Sequence, residues 1–149
     1  MKTLVVYFSR KGSVRRVAEQ TAQQLDAALY EVKTSERTSG FFGFWWCGRF
    51  GMHRWGMPIQ PLSTDLTQYD KVIICSPIWV LSICAPIRSF LELAHGQIKA
   101  VDYILVHFSF PMRYPGTLHA MDSLLGVQHG RCTSIVCQRG KCLARREFL

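Results

Sequence analysis

The sequence has no apolar run long enough to cross a membrane and no cysteine pattern that holds a metal. A membrane-spanning helix needs about 18 or more apolar residues in a row, and the run that begins at Leu4 is too short even for a signal peptide. The six cysteines include no Cys-x-x-Cys pair, and Cys132, Cys137 and Cys142 match no usual zinc or cluster spacing. We therefore expect a cytoplasmic protein with reduced thiols, no disulfide framework and no metal site.

Acidic residues are scarce, since 10 Asp and Glu stand against 18 Lys and Arg and give a formal net charge of +8. This balance raises the question of an anionic partner. The basic residues are scattered along the chain, however, and no helix-turn-helix, zinc-finger or RNA-binding motif accompanies them. A solvated basic surface with no specific nucleic-acid partner is the simpler interpretation.

The start of the chain predicts a β-α-β unit within a single domain, residues 1–149. The apolar run Leu4–Phe8 has the composition of a buried strand. Apolar residues then recur at helical spacing from Val14 to Leu29, with charged and amide side chains on the opposite face. Tyr30 and Val32 alternate with charged residues, as in a short edge strand. This order favours a parallel sheet with a right-handed crossover.

The rest of the chain repeats the alternation of strands and helices. Residues 71–75 form a mostly apolar run, typical of a central parallel strand, which ends at Ser76-Pro77-Ile78-Trp79. Five strands separated by helices predict an open, doubly wound α/β sheet. The other predicted elements are strands at 103–108 and 134–137, a helix that begins at Pro86 and ends at Gly96, a helix capped by Thr117 that ends at Gly126, and a weak helical pattern from Cys142 to Phe148.

Residues 37–62 form an aromatic stretch in which Phe, Trp and Met side chains crowd among glycines and arginines. Helical spacing there is only partial, as at Phe42, Trp45, Trp46 and Arg49. Three interpretations stay open, namely a helix packed on the sheet, a lid over a ligand and an interfacial membrane anchor. We prefer the packed helix.

The loop after the first strand is a candidate phosphate site. In a doubly wound sheet, ligands bind beyond the carboxyl ends of the strands. Ser9, Gly12 and Ser13 lie there at a helix N-terminus, where unpaired backbone N–H groups suit a phosphate. The same residues could simply turn the chain and cap the helix, so a second element is needed.

Aromatic residues supply that second element. The loops 76–85 and 109–116 lie at the same edge of the predicted sheet and carry Trp79 and, further on, Phe110 or Tyr114. A phosphate at one end of the site and two aromatic planes at the other describe a flat aromatic mononucleotide. No residue is assigned as a catalytic acid or base, because a histidine on a buried strand, such as His107, is more often a satisfied core residue.

Three stretches of the chain resemble the flavodoxin-like FMN-binding family. They are Leu4-Val-Val-Tyr-Phe-Ser-Arg-Lys-Gly-Ser13, then Ser76-Pro-Ile-Trp79 with Ala85-Pro-Ile-Arg-Ser-Phe-Leu-Glu92, and Thr117-Leu-His-Ala-Met-Asp-Ser-Leu-Leu-Gly126. The second is the most specific, and the resemblance covers most of residues 1–140. It implies a flavodoxin-like three-layer α/β fold with a five-stranded parallel sheet of order 2-1-3-4-5, whose last helix is short or missing.

The resemblance also implies FMN as the cofactor. Its phosphate would be cradled by the first loop, and its isoalloxazine ring would be enclosed by the second and third loops. The residues so implied are Ser9, Arg10, Lys11, Gly12, Ser13 and Val14 for the phosphate, Pro77, Ile78, Trp79 and Val80 along the ring, and Ser109, Phe110 and Tyr114 on its other side.

The function implied by the resemblance is that of an FMN-binding redox protein. Such a protein carries electrons to a partner protein or reduces a small-molecule acceptor of the quinone or flavin type. Whether this chain is an NAD(P)H-dependent FMN oxidoreductase or an electron-transfer protein stays open. The alternative, from another class, is a flavodoxin-like domain that has lost FMN and binds an anionic partner or a membrane surface.

Two departures from the family's pattern lead to further predictions. Val14 stands where the family's phosphate loop usually has Thr, and a lost hydrogen bond to a charged group costs about 1.5 to 3 kcal/mol, so we expect modest FMN affinity. The residues after 138 are too few for the full helix that usually ends the fold. A sheet face left uncovered would suit a second subunit, which predicts a homodimer.

Overall fold

The computed structural model describes residues 2–9, 12–34, 43, 45–46, 49, 57–79, 82–107, 115–138 and 141–148, and of these the backbone alone at 79, 82, 138, 141–144 and 146–148. Its elements, in chain order, are β1 (Thr3–Tyr7), α1 (Ser13–Leu25), β2 (Ala28–Glu31), a 3-10 turn (Leu66–Gln68), β3 (Lys71–Trp79), β4 (Ser82–Ile83), α2 (Ala85–Leu93), β5 (Val101–His107), α3 (Pro115–Leu125), β6 (Cys132–Gln138) and β7 (Lys141–Phe148).

The strands form one sheet in the order β2-β1-β3-β5-β6-β7, with β4 paired to the end of β3. The first five strands of this order run parallel to one another. Counted along the chain, these parallel strands have the order 2-1-3-4-5, so the predicted flavodoxin-like sheet is confirmed. The chain moves outward from β1 to β2 and then returns to β3 on the other side of β1, which makes the carboxyl ends of β1 and β3 the topological switch point.

The end of the chain differs from the sequence-based prediction. The helix predicted from the weak pattern at Cys142 to Phe148 is wrong, because Lys141–Phe148 is strand β7, antiparallel to β6. Only two residues separate β6 from β7, and this length is typical of a tight hairpin and too short for a crossover. Strand β7 is thus an edge strand at the position where the resemblance led us to expect a short helix or none.

Helices cover both faces of the sheet. On one face, α2 and α3 pack their apolar residues against β1, β3 and β5, and on the other α1 packs against the alternate residues of the same strands, giving three layers. The largest buried side chains belong to the first face, among them Phe90, Tyr103, Ile74, Leu105 and Met121. The second face contains Val5, Val17, Ile73, Cys75, Ile104, Val106 and Ile135.

On β5 and β6, the apolar side chains described on the α1 face are buried, whereas Leu29 on β2 is exposed. Ile104, Val106 and Ile135 lie on the strands farthest from α1, yet their exposed fractions are only 5%, 5% and 3%. The uncovered face from which the homodimer was predicted is therefore not seen on β5 and β6. The homodimer itself stays a prediction.

Two predicted boundaries are wrong. Helix α1 ends at Leu25 and not at Leu29, because Asp26 adopts a left-handed conformation (φ 50°) in which its N–H meets the carbonyls of Ala22 and Gln23. Leu25 and Leu29 are consequently exposed. Helix α3 begins at Pro115, so Thr117 lies buried inside the first turn and is not the cap.

The aromatic stretch 37–62 is described at a few positions and at its end. Gly43, Trp45, Trp46 and Arg49 are helical, and Trp46 is half-buried against the α2–α3 face of the core while Trp45 is exposed. The Arg49 guanidinium lies 5.9 Å from the ring centre of Trp45 and 5.8 Å from that of Trp46. These residues fit the packed helix, whereas Phe42 and most of the stretch lie outside the described residues.

One cysteine contradicts the prediction of reduced thiols. Cys75, Cys84 and Cys132 are buried thiols outside any disulfide, as expected. Cys137, however, is disulfide-bonded.

Within the described ranges, no helix has the length and apolar character needed to cross a bilayer, and no three metal-ligating side chains come together.

Candidate functional site

The loop between β1 and α1 is held by its own short hydrogen bonds. The backbone N–H of Gly12 donates to Ser9 Oγ over 2.8 Å, and the N–H of Arg16 donates to the Gly12 carbonyl over 3.0 Å as the first helical bond. Gly12 has φ 95°, a conformation that only glycine adopts without strain. These two bonds and the conformation of Gly12 shape the entry into α1.

The N-terminus of α1 suits an anion. Gly12 is the N-cap residue and has no side chain to cap the helix, so the cap residue itself leaves the first N–H groups of α1 open. A Cβ placed on Gly12 would meet nothing within 4 Å, which leaves open space beside the loop. Because Ser9 Oγ accepts the Gly12 N–H, its own hydroxyl proton is available to a ligand. These features fit a phosphate group.

The loop lies at the switch point of the sheet. Tyr7, the last residue of β1, pairs in register with Cys75, and β3 continues beyond that pair. Ser9, Gly12 and Ser13 thus follow β1 directly at the edge where β3 extends past it. This is the position at which doubly wound sheets bind their ligands.

The predicted loop 76–85 is largely strand. β3 runs on through Pro77 to Trp79 and turns back into β4, so that Ile78 pairs with Ile83 and Trp79 with Ser82. The extension is stabilised by burial, since Ile83 is fully buried and Ile78 packs half-buried against the core. The backbone of Trp79 therefore lies in a short hairpin, β3–β4, at the carboxyl edge of the sheet.

An arginine in the first turns of α1 does not point to the candidate phosphate site. Arg15 donates from Nε to the Tyr7 hydroxyl over 3.3 Å and from Nη2 to Glu31 Oε1 over 3.0 Å. Burial raises the pKa of Tyr7 above its ordinary value, and the hydrogen bond from Arg15 opposes this rise only in part. Tyr7 is therefore a neutral hydroxyl at neutral pH, and Arg15 links α1 to β2.

Polar side chains are buried just below the carboxyl edge, on the α2–α3 face. His107 Nε2 forms a short hydrogen bond with Ser134 Oγ, which confirms the predicted core histidine. Ser76 Oγ donates to the Pro77 carbonyl over 2.9 Å and lies 3.5 Å from Cys84 Sγ. The sequence did not lead us to select Ser76, Cys84 or Ser134 as site residues. The available signal was a hydroxyl or thiol near the end of an apolar strand.

The structure brings together part of the predicted FMN site. Ser9 and Gly12 lie before α1 and Ser13 is its first residue, while the side chain of Val14 is buried in the α1 face of the core. Pro77 and Ile78 lie on the β3 extension, where the backbone of Trp79 also lies. The other predicted residues, Arg10, Lys11, Val80, Ser109, Phe110 and Tyr114, lie outside the described residues.

The chain is similar in structure to several flavoproteins. A flavoprotein from Lactobacillus acidophilus NCFM, crystallised in complex with FMN, superposes with a TM-score of 0.71 at 22% identity, covering 86% of this chain and 89% of that one. A flavodoxin, WrbA-like protein from Agrobacterium tumefaciens gives 0.51 at 15% identity, covering 85% and 74%. An NADPH-quinone reductase from P. pentosaceus gives 0.53 at 9% identity, covering 89% and 83%.

These similarities define the class of fold. No protein-family model matches the sequence, and no similarity to a curated protein was found. The order of the parallel strands and the structural neighbours agree, so the chain has the flavodoxin-like fold.

Proposed function

We propose that the protein binds FMN at the carboxyl edge of β1 and β3 and acts as a redox protein. The observation that carries the proposal is the uncapped N-terminus of α1, which opens at the topological switch point of a flavodoxin-like sheet. The structurally similar Lactobacillus flavoprotein was crystallised with FMN, which supports the same cofactor here.

The residues of this chain would divide the binding of FMN between them. The hydroxyl of Ser9 and the first N–H groups of α1 would hold the phosphate, and Gly12 leaves room for its oxygens. The β3–β4 hairpin would carry Trp79 to the isoalloxazine ring, with Ser109, Phe110 and Tyr114 predicted on the other side. When bound, FMN supplies the capacity to accept and release electrons.

Two kinds of redox activity are consistent with this site. The protein would pass electrons to a partner protein, or it would reduce a quinone- or flavin-type acceptor, as the name of the similar NADPH-quinone reductase suggests for that protein. The hydrogen-bonded side chains of His107 and Ser134 lie just below the carboxyl edge of the sheet. They would keep polar atoms near the bound flavin. No described residue is assigned as a proton donor to the acceptor.

The first experiment is the visible spectrum of the purified protein, repeated after incubation with FMN and desalting. Flavin bands that remain after desalting, in about one equivalent per chain, are the expected result. Oxidation of NADH or NADPH with a quinone acceptor then separates a reductase from an electron carrier. A colourless protein that also gives no saturable change when it is titrated with FMN would overturn the proposal. It would leave the alternative of a binding domain, for which salt-sensitive binding to anionic vesicles is the assay.

A further inference from the structure

Cys137 is disulfide-bonded, and the remaining cysteines restrict its partner. Cys75, Cys84 and Cys132 are outside any disulfide. Of the six cysteines in the sequence, only Cys47 and Cys142 are then left as partners.

The register of the terminal hairpin favours Cys142. From Cys132 to Val136, β6 pairs with β7 in an unbroken register that ends with Val136 opposite Ala144. If this register continued, Cys137 would stand opposite Leu143. An irregularity between Val136 and Cys137 shifts the pairing by one residue, and Cys137 stands opposite Cys142.

The two positions meet the geometric requirement of a disulfide. Directly opposed residues of an antiparallel pair have their Cα atoms about 4.5 to 5.5 Å apart, within the range of about 4.4 to 6.8 Å that a disulfide spans. Opposed residues also project from the same face of the sheet. For Cys137 this is the α1 face.

We propose that Cys137 and Cys142 form a reversible disulfide, a redox modification site made of residues that are not assigned to the FMN site. The bond would close a loop of only four intervening residues, so it would constrain the unfolded chain far less than a disulfide between distant residues. The other nine elements lie outside the β6–β7 hairpin, and β6 stays paired to β5 whatever the state of the bond. Opening the bond therefore leaves the fold in place.

The sequence between the two cysteines favours exchange. Arg139 and Lys141 lie between them, and neighbouring cations favour the thiolate, which is the form that attacks a disulfide. Cys75 makes the contrast, because burial raises the pKa of its thiol to about 12 and keeps it protonated. The hairpin pair differs from Cys75 in these neighbouring cations and not in burial, because Cys137 is itself only 6% exposed.

The reaction needs a dithiol reductant. One thiolate of the reductant attacks a sulfur of the Cys137–Cys142 bond and forms a mixed disulfide, and its second thiolate then attacks that bond. The reductant leaves as a cyclic disulfide, two electrons pass to the protein, and both cysteines end as thiols with the two protons. Oxidised glutathione restores the bond by two exchanges: one protein thiolate attacks it and releases one glutathione thiol, and the second protein thiolate attacks the mixed disulfide and releases the other.

Peptide mapping tests the pairing. The protein is alkylated without reduction and digested with trypsin, which cuts after Arg131, Arg139, Lys141 and Arg145. We expect peptide 132–139 joined to peptide 142–145, and we expect the pair to separate after dithiothreitol. Cys142→Ser should abolish the joined peptide, whereas the matched variant Cys47→Ser should leave it. A joined peptide that contains Cys47, or a Cys137 alkylated in every preparation without reductant, would overturn the pairing.

Reversibility is tested on the folded apoprotein, so the outcome does not depend on FMN. Dithiothreitol should raise the number of alkylated cysteines by two while the circular dichroism spectrum and the melting temperature change little, and oxidised glutathione should restore the bond. The redox site is wrong if the bond yields to dithiothreitol only after denaturant has unfolded the protein. Retained FMN in the spectrum would still support the proposed function in that case.

Discussion

The backbone N–H of Gly12 donates a hydrogen bond to Ser9 Oγ over 2.8 Å, and this contact sets the direction in which α1 leaves the sheet. Gly12 can make it because its φ of 95° lies in the left-handed region, where a side chain would be strained. The same conformation leaves the first N–H groups of α1 uncapped. The conformation of one glycine therefore determines whether the candidate phosphate site exists.

Gly12→Ala should weaken FMN binding by about tenfold or more, because the strained backbone shifts the N–H groups that bind the phosphate and one charged hydrogen bond is worth about 1.5 to 3 kcal/mol. The measurement is a titration of FMN fluorescence with the apoprotein. Gly96→Ala is the matched control, since Gly96 has φ 77°, has the same open space around its Cβ position and follows α2, away from the site. Equal loss of affinity in both variants would contradict the prediction.

Gly126→Ala should destabilise the protein more than Gly96→Ala, by about 1 kcal/mol or more. Both glycines have left-handed backbone, so each substitution carries a strain of about 1 to 2 kcal/mol. At Gly126 the new Cβ would also lie 2.9 Å from His95 Cε1, while Nδ1 of that ring is held 2.8 Å from the Leu124 carbonyl. Urea unfolding of both variants measures the difference.

The double variant His95→Ala with Gly126→Ala separates steric overlap from strain. Once the effect of His95→Ala alone is subtracted, Gly126→Ala in the absence of the ring should lower the free energy of unfolding by as much as Gly96→Ala does. A cost at Gly126 that is the same with and without the ring would show that the overlap has no energetic consequence.

Ser89→Ala should lower the free energy of unfolding by about 1 to 3 kcal/mol. Ser89 Oγ accepts the N–H of Met57 over 2.8 Å and donates to its carbonyl over 2.6 Å, so one hydroxyl satisfies both backbone groups of a buried residue. Ser123, exposed on α3, provides the control variant Ser123→Ala, for which we expect almost no change. Similar unfolding midpoints in urea for the two variants would show that the Met57 contact is dispensable.

The parallel sheet could be predicted because its central strands are apolar on both faces. The run 71–75 has this character, and its neighbours in the sheet repeat it. The extension of β3 through Pro77 could not be predicted, because Pro normally ends such a run and the pairing of Ile78 with Ile83 depends on tertiary burial. β7 was missed for a related reason, since its residues have no clear periodicity and its conformation follows from pairing with β6.

The local sequence signal for the candidate site was clearest in its first loop. Ser9, Gly12 and Ser13 gave a local signal, because glycine with a left-handed φ and small hydroxyl residues belong to such turns. The orientation of Arg15 toward Tyr7 and Glu31 gave none, since it depends on where β2 lies beside β1. The disulfide of Cys137 was also missed, because a one-residue shift of register cannot be read from the spacing of cysteines.

The carboxylate of Asp65 caps the 3-10 turn Leu66–Gln68. Asp65 Oδ1 accepts the Thr67 hydroxyl over 2.6 Å and the Thr67 N–H over 3.0 Å. These two bonds, the hydroxyl first, lower the pKa of Asp65 below its ordinary value. The folded state therefore favours the ionised carboxylate more than the unfolded state does.

The stability of the protein should depend on pH through this carboxylate. Because the pKa of Asp65 is lower in the folded state, its contribution to stability is fully present above the unfolded-state pKa of about 3.9. It is lost as the pH falls through the folded-state pKa. Asp65→Asn keeps a good capping residue but removes the titration. Above about pH 5 we expect a constant difference in urea midpoint between wild type and Asp65→Asn. Below about pH 4 the wild type should lose stability relative to the variant. A difference that stays constant down to pH 2 would show that the Thr67 bonds do not depend on the charge of Asp65.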